Sequence, residues 1–293
     1  MKAAILAMVL AAGVAASATE KPTTVKRLDG SSISSTEIDA TVTRLMKAAE
    51  VTGVGIAIIN QGKIVYVKAY GVRDKEKGLP LTVASVMPPA SLTKVAFTFL
   101  VMQLVHEGIL DLDKPVYEYF PQPLPQYAKY ADLAGDLRYK RITSRMLLSH
   151  TAGFANWRFF EDDHKLKIHF EPGTRFAYSG EGIALLQFLV ETIAKQPLEE
   201  LMRKQVFEPI GMERTSMIWQ DRFEDNYANG YDEYGRSLGP QKRGRAQAAG
   251  SMQTTIGDFA RFVQAVAVGK GLDGKIREQM LSPQIKIASK HEF

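Results

Sequence analysis

One stretch of the chain constrains its fold more than any other: residues 95–105, which read VAFTFLVMQLV. As a helix it would be apolar on almost every side, whereas a helix at a protein surface keeps a polar face. We therefore predict a helix that is buried at the centre of the protein and is stopped by Gly108. Such a helix needs other elements packed around it, and 293 residues allow one large domain or two interleaved ones.

A hairpin is predicted before this helix. Residues 54–59 are typical of a buried strand, residues 60–62 of a turn and residues 63–71 of the returning strand. Upstream, residues 34–37 (SSTE) match a capping box that opens a helix to about Val51. A lone hairpin is not a stable sheet. We therefore expect its partner strands from elsewhere in the chain, most naturally from the C-terminal end.

Helical patterns dominate the rest of the chain, and turn signals such as residues 171–173 (EPG) separate them. The predicted helices cover about 143–149, 182–194, 198–206 and 255–268. A hairpin followed by a long helical stretch predicts an α/β part with a mainly helical part inserted into it. We place the α/β part at about 19–90 and 255–293, and the helical part at about 91–254.

The N-terminus has the pattern of a secretory signal. Met1 and Lys2 precede an apolar run over residues 3–16, and residues 16–18 (ASA) form a cleavage site. The run is shorter than the roughly 20 residues that a membrane-spanning helix needs. We expect cleavage after Ala18, a secreted or periplasmic protein, and no integral membrane segment after the signal is removed.

Composition excludes several kinds of chemistry. The chain has no cysteine, which excludes a disulfide scaffold, a thiolate zinc site, an iron–sulfur cluster and a cysteine nucleophile. The formal net charge is +5, but the basic residues are scattered, with short clusters only at 138–141 and 242–245. This distribution favours a solvated surface over a nucleic-acid partner.

Candidate catalytic residues lie where the buried helix begins. Ser91 and Lys94 are three positions apart and so share a helix face. A serine hydroxyl needs an adjacent base to become a nucleophile, and a lysine amine can be that base. The backbone N–H of Ser91, at a helix N-terminus, could stabilise an oxyanion. The spacing alone also fits a capped, solvated helix start.

A second candidate is Tyr178, which follows a Pro-Gly turn and precedes an apolar helix. A tyrosinate near a lysine could shuttle the proton of the serine. Taken alone, Tyr178 is better interpreted as an amphipathic packing residue.

Five stretches occur in the order of one known family. They are 91–94 (SLTK), 147–154 (LLSHTAGF), 172–180 (PGTRFAYSG), 207–212 (FEPIGM) and 249–258 (AGSMQTTIGD). With them the chain, from about Val54 onward, resembles the serine β-lactamase-like hydrolases: class C β-lactamases, DD-peptidases and related esterases. The resemblance implies an α/β plus all-α fold, in which helices flank an antiparallel sheet, a helical domain is inserted and the pocket lies at their junction.

The resemblance also assigns roles. Ser91 matches the nucleophile, Lys94 its base partner, and Tyr178 the tyrosine of the Y-x-N motif, which assists proton transfer. His150 and Asn156 stay outside the catalytic set, because the family treats the His150 segment as structural.

The chain departs from the family at two motifs. Gly180 stands where the Y-x-N motif has an asparagine, so it remains a candidate substrate-binding position without the amide, and Glu181 is a conceivable substitute. The third motif, K-T-G or H-x-G on a strand, has look-alikes at 106–108 and 242–244, where the family order does not place it. We expect the true strand beyond Phe293, in a longer chain.

Two further patterns argue against other hydrolase mechanisms. The S-D-N and E-x-x-L-N patterns of class A enzymes are absent. Residues 235–239 match the lipase G-x-S-x-G pattern, but their polar flanks indicate a loop and not a strand-to-helix elbow.

The sequence thus predicts an exported serine hydrolase that forms an acyl-enzyme without a metal or cofactor. Its substrate would be a small molecule or a peptidoglycan peptide: a β-lactam, a D-Ala-D-Ala peptide or a small ester. The lost asparagine favours an esterase or a promiscuous hydrolase. The alternative is a catalytically impaired penicillin-binding-like or cell-wall ligand-binding protein, which the missing third motif favours. The oligomeric state is not readable from the sequence.

Overall fold

The structure of the protein, a computed structural model, describes residues 23–287. The predicted signal sequence at 1–18 lies outside the described residues, as do residues 288–293. The chain divides into two compact units, one up to Leu45 and one from Met46 onward.

The first unit contains a small antiparallel sheet and the start of a helix. Strands β1 (Thr24–Lys26) and β2 (Ser32–Ser34) pair, and helix α1 (Ser35–Ala48) follows at once. Ser34 and Glu37 form a reciprocal cap. The Glu37 N–H donates to Ser34 Oγ at 3.2 Å, and the Ser34 N–H donates to a Glu37 carboxylate oxygen at 2.9 Å. The predicted capping box is therefore present.

The second unit begins with the predicted hairpin. Strands β3 (Gly53–Asn60) and β4 (Lys63–Asp74) pair antiparallel across a two-residue turn. Gln61 and Gly62 both have positive φ, +48° and +72°, as a tight hairpin turn requires. The third strand is β5 (Leu79–Pro80), which pairs with β4. Within residues 23–287 the chain directly after the hairpin supplies the partner of β4, and a partner strand from the C-terminal end stays a prediction.

The C-terminal part of the described chain is helical. Helices α7 (Ile256–Val268) and α8 (Gly274–Leu281) follow one another, and no strand occurs between residues 240 and 287. Helix α7 packs on β3 and β4. The contact is close, since a Cβ added to Gly55 would lie 2.9 Å from the Cβ of Ile256. Helix α7 therefore covers one face of the sheet.

Helix α2 (Thr93–His106) forms the centre of the second unit, as predicted. Most of its apolar side chains are buried, including Leu100. Phe99 makes an edge-to-face contact with Phe262 of α7, with ring centroids 5.8 Å apart. Gly108 follows the helix with φ +72°, a conformation that glycine adopts without strain.

The second unit contains several further elements. They are α3 (Ser144–Leu148), α4 (Gly180–Ala194), α5 (Leu198–Leu201), a π-helical segment Met202–Phe207, α6 (Glu208–Ile210), and the short strands β6 (Gly230–Tyr231) and β7 (Ser237–Gly239). Short 3-10 turns occupy Ala90–Leu92, Val116–Tyr119, Leu124–Gln126, Ala128–Leu133, Leu137–Arg141, Arg158–Phe160 and Asp221–Phe223.

The lipase-like pattern lies in the β6–β7 hairpin, with Ser237 exposed. A hairpin thus replaces the loop expected there, and no helix follows the serine. Within residues 23–287, none of the helices is both long and apolar enough to cross a membrane.

Central packing of α2 gives a stability prediction. Leu100 is 0% exposed, whereas Val95 on the same helix is 43% exposed. We expect Leu100→Ala to lower the free energy of unfolding by about 2–5 kcal/mol, because it leaves a cavity in the core. Val95→Ala should change it by about 0.5 kcal/mol or less. Urea unfolding measures both, and equal losses would contradict a core position for this face of α2.

Candidate active site

Ser91 and Lys94 meet at the start of the central helix. Ser91 lies in the 3-10 turn Ala90–Leu92, and Lys94 in the first turn of α2. The Lys94 ammonium donates to Ser91 Oγ at 3.1 Å and to the carbonyl oxygen of Ala249 at 2.7 Å. Ser91 is exposed, whereas Lys94 is only 8% exposed. A reactive hydroxyl at this site is therefore accessible while its neighbouring amine is enclosed.

The backbone just before Ser91 is strained. Ala90 has φ +48°, in the left-handed region that is unfavourable for a residue with a Cβ. Thr93 stabilises this turn, because its hydroxyl donates to the carbonyl of Ala90 at 2.6 Å. The same hydroxyl accepts from the N–H of Met252 at 3.2 Å. The turn that presents Ser91 is thus fixed to the segment around residue 250.

Gln187 on α4 fixes the stretch of chain that leads into Ala249, the residue whose carbonyl accepts from Lys94. Its side-chain amide donates to the carbonyl of Ala246 at 3.1 Å and accepts from the N–H of Ala248 at 2.9 Å. Both ends of the amide are thereby occupied by the stretch that leads into Ala249. No role for Ala249 or Gln187 was predicted from the sequence. Ala249 acts through its backbone carbonyl, which leaves no signal in residue type, and Gln187 meets residues 246–248 only in the folded chain.

Tyr178 lies in the loop before α4, as predicted. Its ring centroid is 4.8 Å from the Lys94 ammonium, so the structure brings Ser91, Lys94 and Tyr178 together. Ser179 is the N-cap of α4. Its hydroxyl accepts from the Gly182 N–H at 2.8 Å and donates to the carbonyl of Ala155 at 2.9 Å. The loop that carries Tyr178 is therefore anchored by the first turn of the helix.

His150 and Asn156 hold the same loop from the other side. His150 Nδ1 accepts from the Ser179 N–H at 3.1 Å, and its ring packs on Tyr178 with centroids 4.5 Å apart. Asn156 Oδ1 accepts from the Gly180 N–H at 3.0 Å. These acceptors occupy N–H groups at the start of α4 that have no partner within the helix. The structure thus gives both residues a positioning role.

Burial controls the protonation of His150. Two effects lower the pKa of His150 to about 4: first the loss of hydration on burial, and second the positive charge of Lys94. The ring is therefore neutral near pH 7, and Nδ1 is free to accept the Ser179 N–H.

Trp157 covers Gly180. A Cβ on Gly180 would lie 2.7 Å from Trp157 Cε2 and closer still to two other ring atoms. The indole thus occupies the space that the side chain of an asparagine would need at this position. A substrate-binding role for Gly180 stays a prediction. What the structure shows there is a packing contact.

Glu181 is engaged elsewhere and is not aimed at Lys94. It is buried, and its carboxylate accepts two hydrogen bonds from the Arg158 guanidinium, at 3.0 and 2.9 Å. A carboxylate that is paired in this way does not replace the missing amide of the Y-x-N motif.

The described residues contain no substitute for the third motif on a strand. Residues 106–108 end α2, and residues 242–244 lie in an irregular segment. Between residues 23 and 287 there is also no group of three or more His, Asp or Glu side chains that could hold a metal ion.

The chain is similar to known proteins over most of its length. A family model described as Beta-lactamase matches residues 38–287. A β-lactamase of Pseudomonas fluorescens is 27% identical over 237 residues, which cover 78% of this chain and 63% of the relative. Esterase EstB of Burkholderia gladioli is 26% identical over 234 residues, 70% of this chain and 57% of the relative. The chain therefore spans about three fifths of the length of these relatives.

A solved structure supports the fold. The D-alanine carboxypeptidase AmpC of Burkholderia cenocepacia superposes with a TM-score of 0.68 at 26% identity, over 83% of this chain and 67% of that protein. The predicted α/β plus all-α fold, with an antiparallel sheet flanked by helices, is confirmed.

Protonation of His150 should destabilise the protein in a defined pH range. Between about pH 6.5 and pH 4 the unfolded chain takes up a proton that the folded chain refuses, so the free energy of unfolding falls as the pH falls. His150→Asn retains an acceptor and suits the φ of +57° at this position, but it does not titrate. Chemical unfolding at pH 7 and pH 4 should show up to about 3 kcal/mol more loss in the wild type. Equal losses would contradict this origin.

Because of its contact with Trp157, Gly180 should respond to alanine substitution differently from an ordinary helix glycine. Gly-to-Ala in a helix is ordinarily favourable by up to about 1 kcal/mol, but at Gly180 the clash with the indole should cost about 1–3 kcal/mol. Gly182→Ala is the matched control, since a Cβ there has ordinary contacts at 3.4–3.5 Å. The double variant Gly180→Ala, Trp157→Ala should be more stable than the sum of the single losses predicts. Additive losses in thermal or urea unfolding would contradict the contact.

Proposed function

The chain belongs to the β-lactamase family, and from this membership we propose that it is a serine hydrolase that works through an acyl-enzyme on Ser91. One observation carries the proposal: the 3.1 Å hydrogen bond between Lys94 Nζ and Ser91 Oγ at the accessible start of a buried helix. A nucleophile within hydrogen-bond reach of a base is the arrangement that covalent catalysis requires.

The reaction would proceed in two stages. With Lys94 as the neutral amine, Ser91 Oγ attacks the substrate carbonyl carbon and its proton passes to Lys94. The tetrahedral intermediate collapses when the bond to the leaving nitrogen or oxygen breaks, and the leaving atom receives a proton from Lys94 by way of the Tyr178 hydroxyl. Water then attacks the ester of Ser91. The same groups accept its proton and return one to Ser91 Oγ, which releases the acid.

We propose a small ester as the preferred class of substrate, and we rank a β-lactam or a D-Ala-D-Ala peptide after it. The relatives carry the names β-lactamase, esterase and D-alanine carboxypeptidase, so these three classes bound the choice. Trp157 fills the space beside Gly180, so this side of the site presents an aromatic surface where the family has an amide. Such a surface suits a substrate that reacts without an amide contact to its side chain.

A second candidate is a binding protein that is acylated slowly or never turns over. The observation that favours it is the absence, within residues 23–287, of a strand that carries K-T-G or H-x-G. We further propose that the protein is exported to the periplasm or secreted, on the strength of the signal pattern at residues 1–18.

Covalent labelling tests the nucleophile. We expect a fluorescent penicillin or a fluorophosphonate to label the wild type, and Ser91→Ala to abolish the label. Lys94→Gln and Tyr178→Phe should slow labelling by about 10²–10⁴-fold if each takes part in proton transfer. Exposed Ser237 offers the control: Ser237→Ala should label like the wild type.

The outcomes separate the two candidates. Equal labelling of the wild type and Ser91→Ala would refute the nucleophile. Labelling of Ser91 without release of product, followed with chromogenic esters and a chromogenic cephalosporin, would favour the binding protein.

A further inference from the structure

A cavity of about 410 Å³ adjoins the Ser91–Lys94 pair. Its walls come from α4, from the loop that carries Trp157 and from residues 245–249. Ala249 belongs to this lining, and its carbonyl is the acceptor of the Lys94 ammonium. Trp157, which covers Gly180, forms another wall. A molecule that reacts at Ser91 therefore has this cavity next to it.

The lining of the cavity is cationic. It includes Lys129, Arg158 and Arg245 but a single carboxylate, that of Glu181. Glu181 is already bound to Arg158 through two hydrogen bonds. In the described part of the chain Lys129 and Arg245 form no ion pair, and both are exposed. Within residues 23–287 these two lining cations thus have no carboxylate at ion-pair distance, and the Lys129 ammonium also lies 5.5 Å from the centroid of the Tyr130 ring.

The backbone that carries the lining cations Lys129 and Arg245 is held in place by hydrogen bonds. The Arg158 guanidinium donates to the backbone carbonyl of Lys129 at 2.8 Å, so the Arg158–Glu181 pair, in which Glu181 is buried and Arg158 half-buried, fixes the segment that bears Lys129. On the opposite wall, Gln187 uses its amide to fix residues 246–248, directly after Arg245. Lys129 and Arg245 therefore both lie on, or directly beside, backbone that hydrogen bonds of this site fix.

We propose that this cavity is a subsite for an anionic group of the substrate, a carboxylate above all, carried by Lys129 and Arg245. The inference rests on the proposed function, because it assumes that a substrate reacts at Ser91. A carboxylate entering the cavity gains two charge-assisted hydrogen bonds, and the lining offers no unpaired carboxylate to repel it. A neutral group of the same shape gains neither.

Matched probes differing by one carboxylate test the subsite. Carbenicillin and benzylpenicillin differ by a carboxylate on the acyl side, and 3-acetoxybenzoate and phenyl acetate by one on the leaving side. For each pair the second-order rate of acylation gives a ratio, acidic over neutral. We expect the double variant Lys129→Gln, Arg245→Gln to lower this ratio by about fivefold for at least one pair of probes. The pair that is affected shows whether the acyl side or the leaving side of the substrate enters the cavity.

Two controls sharpen this measurement. Lys140→Gln removes an exposed cation that does not line the cavity, and it should leave both ratios unchanged. Raising the salt concentration should lower the affected ratio in the wild type but much less in the double variant, because salt screens exposed charges. Ratios that stay the same in the double variant for both pairs would overturn the subsite.

Binding to Ser91→Ala separates this proposal from the proposed function. This variant lacks the proposed nucleophile, so calorimetric titration with carbenicillin and benzylpenicillin reports affinity alone. Tighter binding of carbenicillin that disappears with Lys129→Gln, Arg245→Gln supports the subsite even if the wild type is never acylated. Acylation of the wild type with no preference for either acidic probe, in rate or in affinity, would refute the subsite and leave the serine hydrolase standing.

Discussion

A buried lysine in the first turn of an apolar helix is the constraint on which the site depends. An enclosed charge is costly unless acceptors surround it, and Lys94 has two: Ser91 Oγ, three residues away, and the carbonyl of Ala249, which is 155 positions later in the chain. The first acceptor comes with the helix. The second must be delivered by the fold, and Gln187 and Thr93 fix the segment that delivers it. The same requirement therefore places the nucleophile, the base and one wall of the pocket.

The start of α4 is organised by a comparable need. Its first N–H groups lack partners within the helix, and Ser179, Asn156 and His150 supply oxygen and nitrogen acceptors. Because these acceptors fix the loop, Tyr178 lies over the Lys94 ammonium. His150 can do this only as the neutral ring, and its burial keeps it neutral. Capping, which is a local matter of helix stability, thereby also sets the geometry of the proton transfer proposed for Tyr178 and Lys94.

Local patterns in the sequence predicted the elements that local physics determines. The hairpin, the reciprocal cap of Ser34 and Glu37 and the buried helix α2 all follow from periodicity and turn chemistry over a few residues. The partner of β4 was missed because Leu79–Pro80 is too short to have a pattern. The Trp157–Gly180 contact was also out of reach: the sequence shows a glycine in place of an asparagine, but not which side chain takes its space. Likewise, Ala249 acts through its backbone, which every residue type shares.

Chemistry and selectivity come from different parts of this site. The groups proposed for bond making lie at the start of α2 and in the Tyr178 loop, where hydrogen bonds leave little freedom. The wall that would sort substrates is formed by Trp157 and the cations Lys129 and Arg245, on surrounding segments. Relatives named β-lactamase and esterase are 27% and 26% identical to this chain, so overall similarity does not separate the substrates. We therefore propose that selectivity resides in a few wall residues, which in this chain present an aromatic face and the two cations Lys129 and Arg245.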